Sequence, residues 1–183
     1  GRIGKLVCRA FLEKKPKNID LVAINELGNI ESSSHLLKFD SIHGSLPMKV
    51  VNSRNTIRVG KNKINFYSER DPANLPWKSL KIDVVLECSG AFTSKESAFA
   101  HINAGAKKVI ISAPASNVDA TIVQGVNNHS LKKNHNIISN GSCTTNCLAP
   151  LAMVLDNKLG IENGYMTTIH SYTGDQNTVD QTH

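Results

Sequence analysis

The sequence predicts an α/β fold: an open, doubly wound parallel sheet followed by the start of an α+β domain. Three observations carry this. Short continuous apolar runs at residues 21–25, 83–88 and 109–112 have the character of parallel strands buried on both faces. Segments of helical periodicity lie between such runs. Several runs stop at serine or glycine, as strands do where the carboxyl edge of such a sheet binds ligands.

The elements follow in order. Residues 2–15 carry Ile3, Leu6, Val7, Ala10 and Phe11 on one face and Lys5, Arg9, Glu13 and Lys14 on the other, which predicts a helix ended by Pro16. Residues 21–25 follow as a strand. The pair Gly1-x-x-Gly4 at the head of the helix has the spacing of the second half of G-x-G-x-x-G. Glu26 stands 22 residues after Gly4, where that fingerprint calls for an acid. This points to a dinucleotide with its pyrophosphate on the helix N-terminus and its ribose on the Glu26 carboxylate. An acid there repels a 2′-phosphate, so NAD is expected over NADP. A glycine chosen for close helix packing, with Glu26 as a loop acid, is the alternative.

Residues 31–39 are expected as a short helix capped by Ser32 or Ser33. From Met48 to Ser68 the period falls to two, giving strands at 49–51, 56–59 and 63–67. Asp71-Pro72, Leu75-Pro76 and Trp77 form a loop with Trp77 as a packing anchor. A strand at 83–88 ends at Ser89-Gly90, a helix at 94–104 stops at Gly105, and a strand at 109–112 runs into Ala113-Pro114. Ser89, Gly90 and Ser112 are candidate cofactor-lining positions. Further strands are expected at 121–123 and 136–138, a helix from Cys143 to about Lys158, and a strand of a new sheet at 165–172.

The 183 residues carry a net charge of +6, and the excess lies wholly in the first half: 15 basic and 9 acidic residues up to Gly90, six of each after it. Such an excess helps attract anions, but no arginine-rich or aromatic-interleaved basic stripe supports a nucleic-acid site. No apolar run reaches a membrane span, and the four cysteines fit free thiols better than a disulfide framework. The chain opens on Gly1 without methionine and closes in mid-pattern at residues 179–183. It is therefore expected to be a fragment that lacks a first strand, which leaves a gap in the sheet, and lacks part of the second domain. These residues alone are predicted to be inactive.

The chemistry centres on Ser139-Asn140-Gly141-Ser142-Cys143-Thr144-Thr145-Asn146-Cys147. An apolar run stops at small polar residues and a helix begins at Cys143. Unpaired N–H groups and the helix dipole there favour the thiolate, the nucleophilic form. His170, 27 residues later, supplies the imidazole that holds or accepts the proton. Thr144, Thr173 and the backbone at Ser142 offer neutral donors to phosphate oxygens. A metal site from Cys143, Cys147 and His170 lacks the spacing of zinc motifs, and no metal is expected.

The stretch from Ser139 to Pro150 closely resembles the active-site signature of phosphorylating glyceraldehyde-3-phosphate dehydrogenases. The resemblance extends to Gly1-Arg2-Ile3-Gly4, Val22-Ala23-Ile24-Asn25, Phe39-Asp40-Ser41-Ile42-His43-Gly44, Glu69-Arg70-Asp71-Pro72 and Met166-Thr167-Thr168-Ile169-His170-Ser171-Tyr172-Thr173. It implies a Rossmann-type NAD-binding domain at 1–142 and the start of a catalytic domain at 143–183. It implies Cys143 as nucleophile and His170 as thiol activator. Arg2, Ile3, Glu26, Arg70 and Ser112 would contact NAD, and Ser142, Thr144 and Thr173 would bind substrate or phosphate. The implied reaction is oxidative phosphorylation of glyceraldehyde 3-phosphate to 1,3-bisphosphoglycerate in glycolysis or gluconeogenesis. A cytoplasmic homotetramer is implied, without membrane or dedicated nucleic-acid partners. Two positions depart from the family pattern: Gly141 replaces alanine, which is expected to loosen the turn, and Glu26 replaces aspartate. An erythrose-4-phosphate dehydrogenase and a non-catalytic nucleotide- or RNA-binding protein are the alternatives.

Overall fold

The computed structural model describes residues 1–173. Helix α1 spans Arg2–Lys14 and closes where Lys15 turns left-handed at φ 47°, its N–H bonding to the Phe11 carbonyl. Cys8, Arg9 and Leu12 are its buried residues. The Arg9 guanidinium is satisfied by four carbonyls, those of Leu37, Lys38, His43 and Gly44. Strand β1 is Ala23–Asn25 and helix α2 is Ile30–Lys38.

The cap of α2 is Asn29 rather than Ser32 or Ser33. Its side chain accepts the Ser32 N–H at 2.7 Å, while Ser33 is buried inside the helix. A short hairpin, β2 (Phe39–Asp40) with β3 (Gly44–Ser45), follows where no strand was expected. Strands β4 (Val50–Ser53), β5 (Thr56–Val59) and β6 (Asn62–Tyr67) form an antiparallel meander.

The second half contains one strand–helix–strand unit, two further strands and a final helix. Strand β7 (Val84–Glu87) leads to helix α3 (Lys95–Asn103), which a reciprocal Ser94–Ser97 capping box starts. Strands β8 (Lys108–Ile111), β9 (Ala120–Thr121) and β10 (Ile137–Ser139) follow, then helix α4 (Cys143–Leu159), ended by Gly160.

Two four-stranded sheets result. One has the order β1-β6-β5-β4, with β1 parallel to β6; the other, β7-β8-β10-β9, is parallel throughout. β1 and β7 are the terminal strands of their sheets, and an interruption separates the two ladders. Val84 and Leu86 of β7 are correspondingly exposed. A cluster of Leu75, Trp77, Ala104 and Ala106, with Ala23, Tyr67 and Val85 packed on it, joins the two halves across the interruption. Trp77 is thus the packing anchor the sequence suggests.

One expected element is absent. Residues 165–172 form no strand; they run as exposed irregular chain. β-Formers alone do not make a strand, because the ladder needs a partner, and no described strand lies beside this segment. Its continuation, residues 174–183, lies outside the described residues. Helix α4 likewise buries none of its residues.

Gly105, at φ 109°, fixes how α3 returns to β8. A Cβ there would sit 2.5 Å from the Lys78 Cβ and 2.7 Å from its Cα and N. Gly105→Ala combines this clash with a disfavoured backbone and is expected to destabilise the fold by about 2–4 kcal/mol. Chemical denaturation measures this; an unchanged midpoint would show that Lys78 yields freely.

Candidate active site

Cys143, the candidate nucleophile, is positioned by the end of β10. Ser139 is fully buried, and its hydroxyl donates to the Ala113 carbonyl at 2.7 Å while accepting the Gly141 N–H at 3.0 Å. The Asn140 N–H bonds the Ile111 carbonyl at 2.9 Å. These contacts tie the turn before Cys143 to the end of β8. Gly141 adopts φ 70°, the left-handed region, and a Cβ there would meet only ordinary contacts at 3.5 Å or more. The expected loosening is therefore not what glycine does: it removes the strain that any side chain meets at this φ.

Ser142 is the N-cap of α4. Its hydroxyl accepts the Thr145 N–H at 2.9 Å and pairs with the Thr145 hydroxyl at 2.7 Å. The Asn146 amide donates to the carbonyls of Asn140 and Ser142 at 2.7 and 2.9 Å, closing the turn from inside the helix. Cys143 stands at the first helical position, exposed.

His170 comes to this thiol without a strand to carry it. Its Nε2 lies 3.1 Å from Cys143 Sγ, and its Nδ1 donates to the Ser171 carbonyl. With Nδ1 donating, Nε2 of the neutral ring is the acceptor. The Cys143 pKa is lowered, first by the hydrogen bond with His170; desolvation is the next largest effect and opposes it, and the Thr144 backbone N–H and hydroxyl lower it further. The other thiols contrast with it. Burial pushes Cys8 up to about 12 and raises Cys88, whose neighbour Ser112 opposes the shift. All four cysteines are free, and Cys143 has both the exposure and the lowered pKa of a nucleophile.

The residues expected to hold a dinucleotide gather at the same edge. The exposed start of α1 carries Gly1, Arg2 and Ile3, and Gly4 brings the helix against Cys88, a Cβ there lying 3.5 Å from the Cys88 Cβ. Glu26 follows β1; its Oε2 accepts from Lys5 Nζ at 2.6 Å. Burial raises the Glu26 pKa, and the hydrogen bond and charge of Lys5 lower it.

Arg70 is exposed in the loop after β6. That loop is held by a reciprocal amide pair: Asn25 Nδ2 donates to the Glu69 carbonyl and Glu69 N–H to Asn25 Oδ1, both at 2.9 Å. Ser112 follows β8, its N–H bonding the Glu87 carbonyl at 3.0 Å.

Other expectations fit less directly. The Arg2 guanidinium is turned to Asp40, at 2.9 and 3.4 Å, and is occupied there. The Ser142 hydroxyl is committed to its cap, which leaves its backbone rather than its side chain for a ligand. Thr144 stands beside the thiol, whereas Thr173, exposed, is the last described residue. Sequence reasoning missed Asn25, Ser139 and the clamping role of Asn146. Each is a lone polar residue at a strand end or in a first helical turn, a signal that was available.

The chain is similar to known proteins along its whole length. The family model described as glyceraldehyde 3-phosphate dehydrogenase, NAD binding domain, matches residues 1–95, and the one for the C-terminal domain matches residues 142–183. The chain is 52% identical over 183 residues to a glyceraldehyde-3-phosphate dehydrogenase from Xanthobacter flavus, covering all of this chain and 55% of that protein. It is 51% identical over 183 residues to one from Cereibacter sphaeroides, again along its whole length and over 54% of the relative. Similarity to one from Pseudomonas aeruginosa is 52% over 184 residues, covering all of this chain and 55% of that protein. The chain spans about half the length of these relatives.

Two measurements probe the geometry. Because the Cys143 pKa is lowered chiefly by His170, alkylation by iodoacetate should rise with pH around a midpoint below that of an ordinary thiol. His170→Asn should move the midpoint upward, and an unaltered profile would remove His170 from this role. Gly141→Ala should cost about 1–2 kcal/mol of stability through φ alone; no loss would mean that the turn relaxes to negative φ.

Proposed function

The chain belongs to the glyceraldehyde-3-phosphate dehydrogenase family, and from that premise we propose that the intact protein oxidises glyceraldehyde 3-phosphate to 1,3-bisphosphoglycerate, using NAD and inorganic phosphate. The observation that carries this reading is the 3.1 Å contact between Cys143 Sγ and His170 Nε2 at the N-terminus of α4.

The residues present fit NAD. The exposed start of α1 offers backbone N–H groups to a pyrophosphate, and Gly4 lets that helix lie against the end of β7. The Glu26 carboxylate, held ionised by Lys5, accepts ribose hydroxyls and disfavours a 2′-phosphate, which supports NAD over NADP. Ile3, Arg70 and Ser112 flank the same edge. Arg2 joins them if it exchanges Asp40 for the cofactor.

Cys143 begins the reaction as the thiolate. Its sulfur attacks the aldehyde carbon and forms a thiohemiacetal. The developing oxyanion lies over the first N–H groups of α4, which stabilise it without reorganising. The oxyanion takes the proton that His170 Nε2 received from the thiol, and Nε2 takes it back from the hydroxyl as the carbonyl of the thioester forms. NAD, when bound, supplies the hydride acceptor for this oxidation. Inorganic phosphate then attacks the acyl carbon; the C–S bond breaks, the acyl phosphate leaves and the thiolate is restored. Thr144, Thr173 and the Ser142 backbone are the donors proposed to orient the phosphate groups.

The division into a cofactor domain at 1–142 and a catalytic domain from 143 is part of the same proposal. The second family model, beginning at residue 142, supports it. So are a homotetrameric assembly and a cytoplasmic location, for which the family resemblance is the support. No helix among the described residues is long and apolar enough to cross a membrane.

In the intact protein, Cys143→Ser should lower turnover by at least about a thousandfold while NAD still binds; unchanged turnover would sink the assignment. Assays with glyceraldehyde 3-phosphate and erythrose 4-phosphate, each with and without phosphate, fix the substrate. A higher kcat/KM for the former and dependence on phosphate are expected. A preference for the four-carbon sugar, or turnover independent of phosphate, would contradict the reading.

A further inference from the structure

Three buried polar side chains lie in a line that the reaction above does not use. The Trp77 indole donates from Nε1 to His101 Nδ1 at 3.0 Å. His101 Nε2 lies 2.9 Å from Glu87 Oε2. All three residues are buried, Glu87 at 6% and His101 at 4% exposure. Glu87 ends β7, and its other oxygen, Oε1, accepts the Ser89 N–H at 2.6 Å. Ser89, Gly90 and Ala91 are exposed. The turn they form is completed by the Ala91 N–H bonding the Ser89 hydroxyl at 3.1 Å, with Gly90 at φ 79°.

The direction of this line follows from chemistry. An indole N–H only donates. His101 Nδ1 is therefore an acceptor and carries no proton, so the ring holds its proton on Nε2 and gives it to Glu87. The carboxylate takes a donor from the core, and from the loop it takes the N–H and the hydroxyl of Ser89. Burial raises the Glu87 pKa, and the bonds from His101 and Ser89 more than reverse this. Burying a carboxylate is costly unless each oxygen is satisfied. A strand end that only had to pack would use an apolar residue. Here the cost goes into gripping a single residue, Ser89, in the turn at the carboxyl edge where the expected cofactor residues gather.

We propose that Glu87, oriented by His101 and Trp77, is a positioning residue that holds the turn at residues 89–91 in the shape that admits the dinucleotide. The inference rests on the NAD-binding reading above. The core sets the turn through one tautomer of His101, so the turn is formed before the cofactor arrives and binding does not have to order it.

The tautomer makes the idea testable beyond a loss of stability. In Glu87→Gln the amide N–H₂ meets His101 Nε2–H, donor against donor, if Gln keeps its oxygen on Ser89. His101 cannot switch tautomer while Trp77 donates to Nδ1. Removing that donor with Trp77→Phe frees the switch, and Nε2 then accepts from Gln. In the intact protein, Glu87→Gln should weaken NAD binding about tenfold, one lost hydrogen bond to a charged group, and should speed hydrogen exchange at the Ser89 amide without cofactor. Adding Trp77→Phe should recover at least threefold of the binding. Equal binding by Glu87→Gln, or a double variant no better than the single, would overturn the proposal. Nitrogen chemical shifts of His101 in the unsubstituted protein give a readout independent of variant folding and of cofactor: the Nε2–H tautomer is expected, and the Nδ1–H tautomer or the imidazolium would overturn it. Should the unsubstituted protein bind no NAD, the NAD-binding reading fails instead, whatever His101 reports.

Discussion

Parallel pairing is the constraint on which the site depends. In a ladder where β7, β8, β10 and β9 run the same way, every connection after a strand emerges at one edge. The Ser89 turn, Ser112 and Cys143 follow β7, β8 and β10, so parallel pairing brings these three to one edge. Side chains finish what register begins. The buried Ser139 hydroxyl and the Asn140 N–H stitch the end of β10 to the end of β8, and Gly4 lets α1 close over β7. On the other side of the interruption, the Asn25–Glu69 amide pair holds the Arg70 loop against the end of β1.

The thiol at this edge is tuned by few groups. The lowering comes first from His170 and then from Thr144 at the start of α4, and together they outweigh the desolvation that opposes them. The buried Cys8, in an apolar cluster, shows the opposite regime. Two cysteines of one chain thus differ in reactivity because one meets donors and the other meets hydrocarbon. The turn before Cys143 needs positive φ, and glycine at 141 meets that need without strain.

Much of this was legible in the sequence because parallel strands and helix starts leave local marks. Apolar runs ending in Ser or Gly gave the strands their places, and the polar cluster around Cys143 marked the cap. What was not legible depends on partners distant in sequence. The cap of α2 fell to Asn29 because the chain enters the helix one turn earlier than its serines suggest. The β2–β3 hairpin exists because the Leu46 N–H reaches back to the Lys38 carbonyl, a contact with no periodic signature. Residues 165–172 have strand composition but no strand beside them. His170 nonetheless reaches Cys143, so the chemical pair survived the loss of the element expected to carry it. Arg2 reads as a cofactor ligand in one dimension and as the partner of Asp40 in three. Glu87, His101 and Trp77 look unrelated along the chain and touch only when folded.

The central claim is that Cys143 forms a covalent acyl bond in the course of the reaction. Its most direct test is mass spectrometry of the intact protein incubated with glyceraldehyde 3-phosphate and NAD in the absence of phosphate. The account predicts a phosphoglyceroyl thioester on the peptide carrying Cys143, released when inorganic phosphate is added. Reduction of NAD with no adduct on that peptide, or an adduct on Cys147 alone, would contradict it.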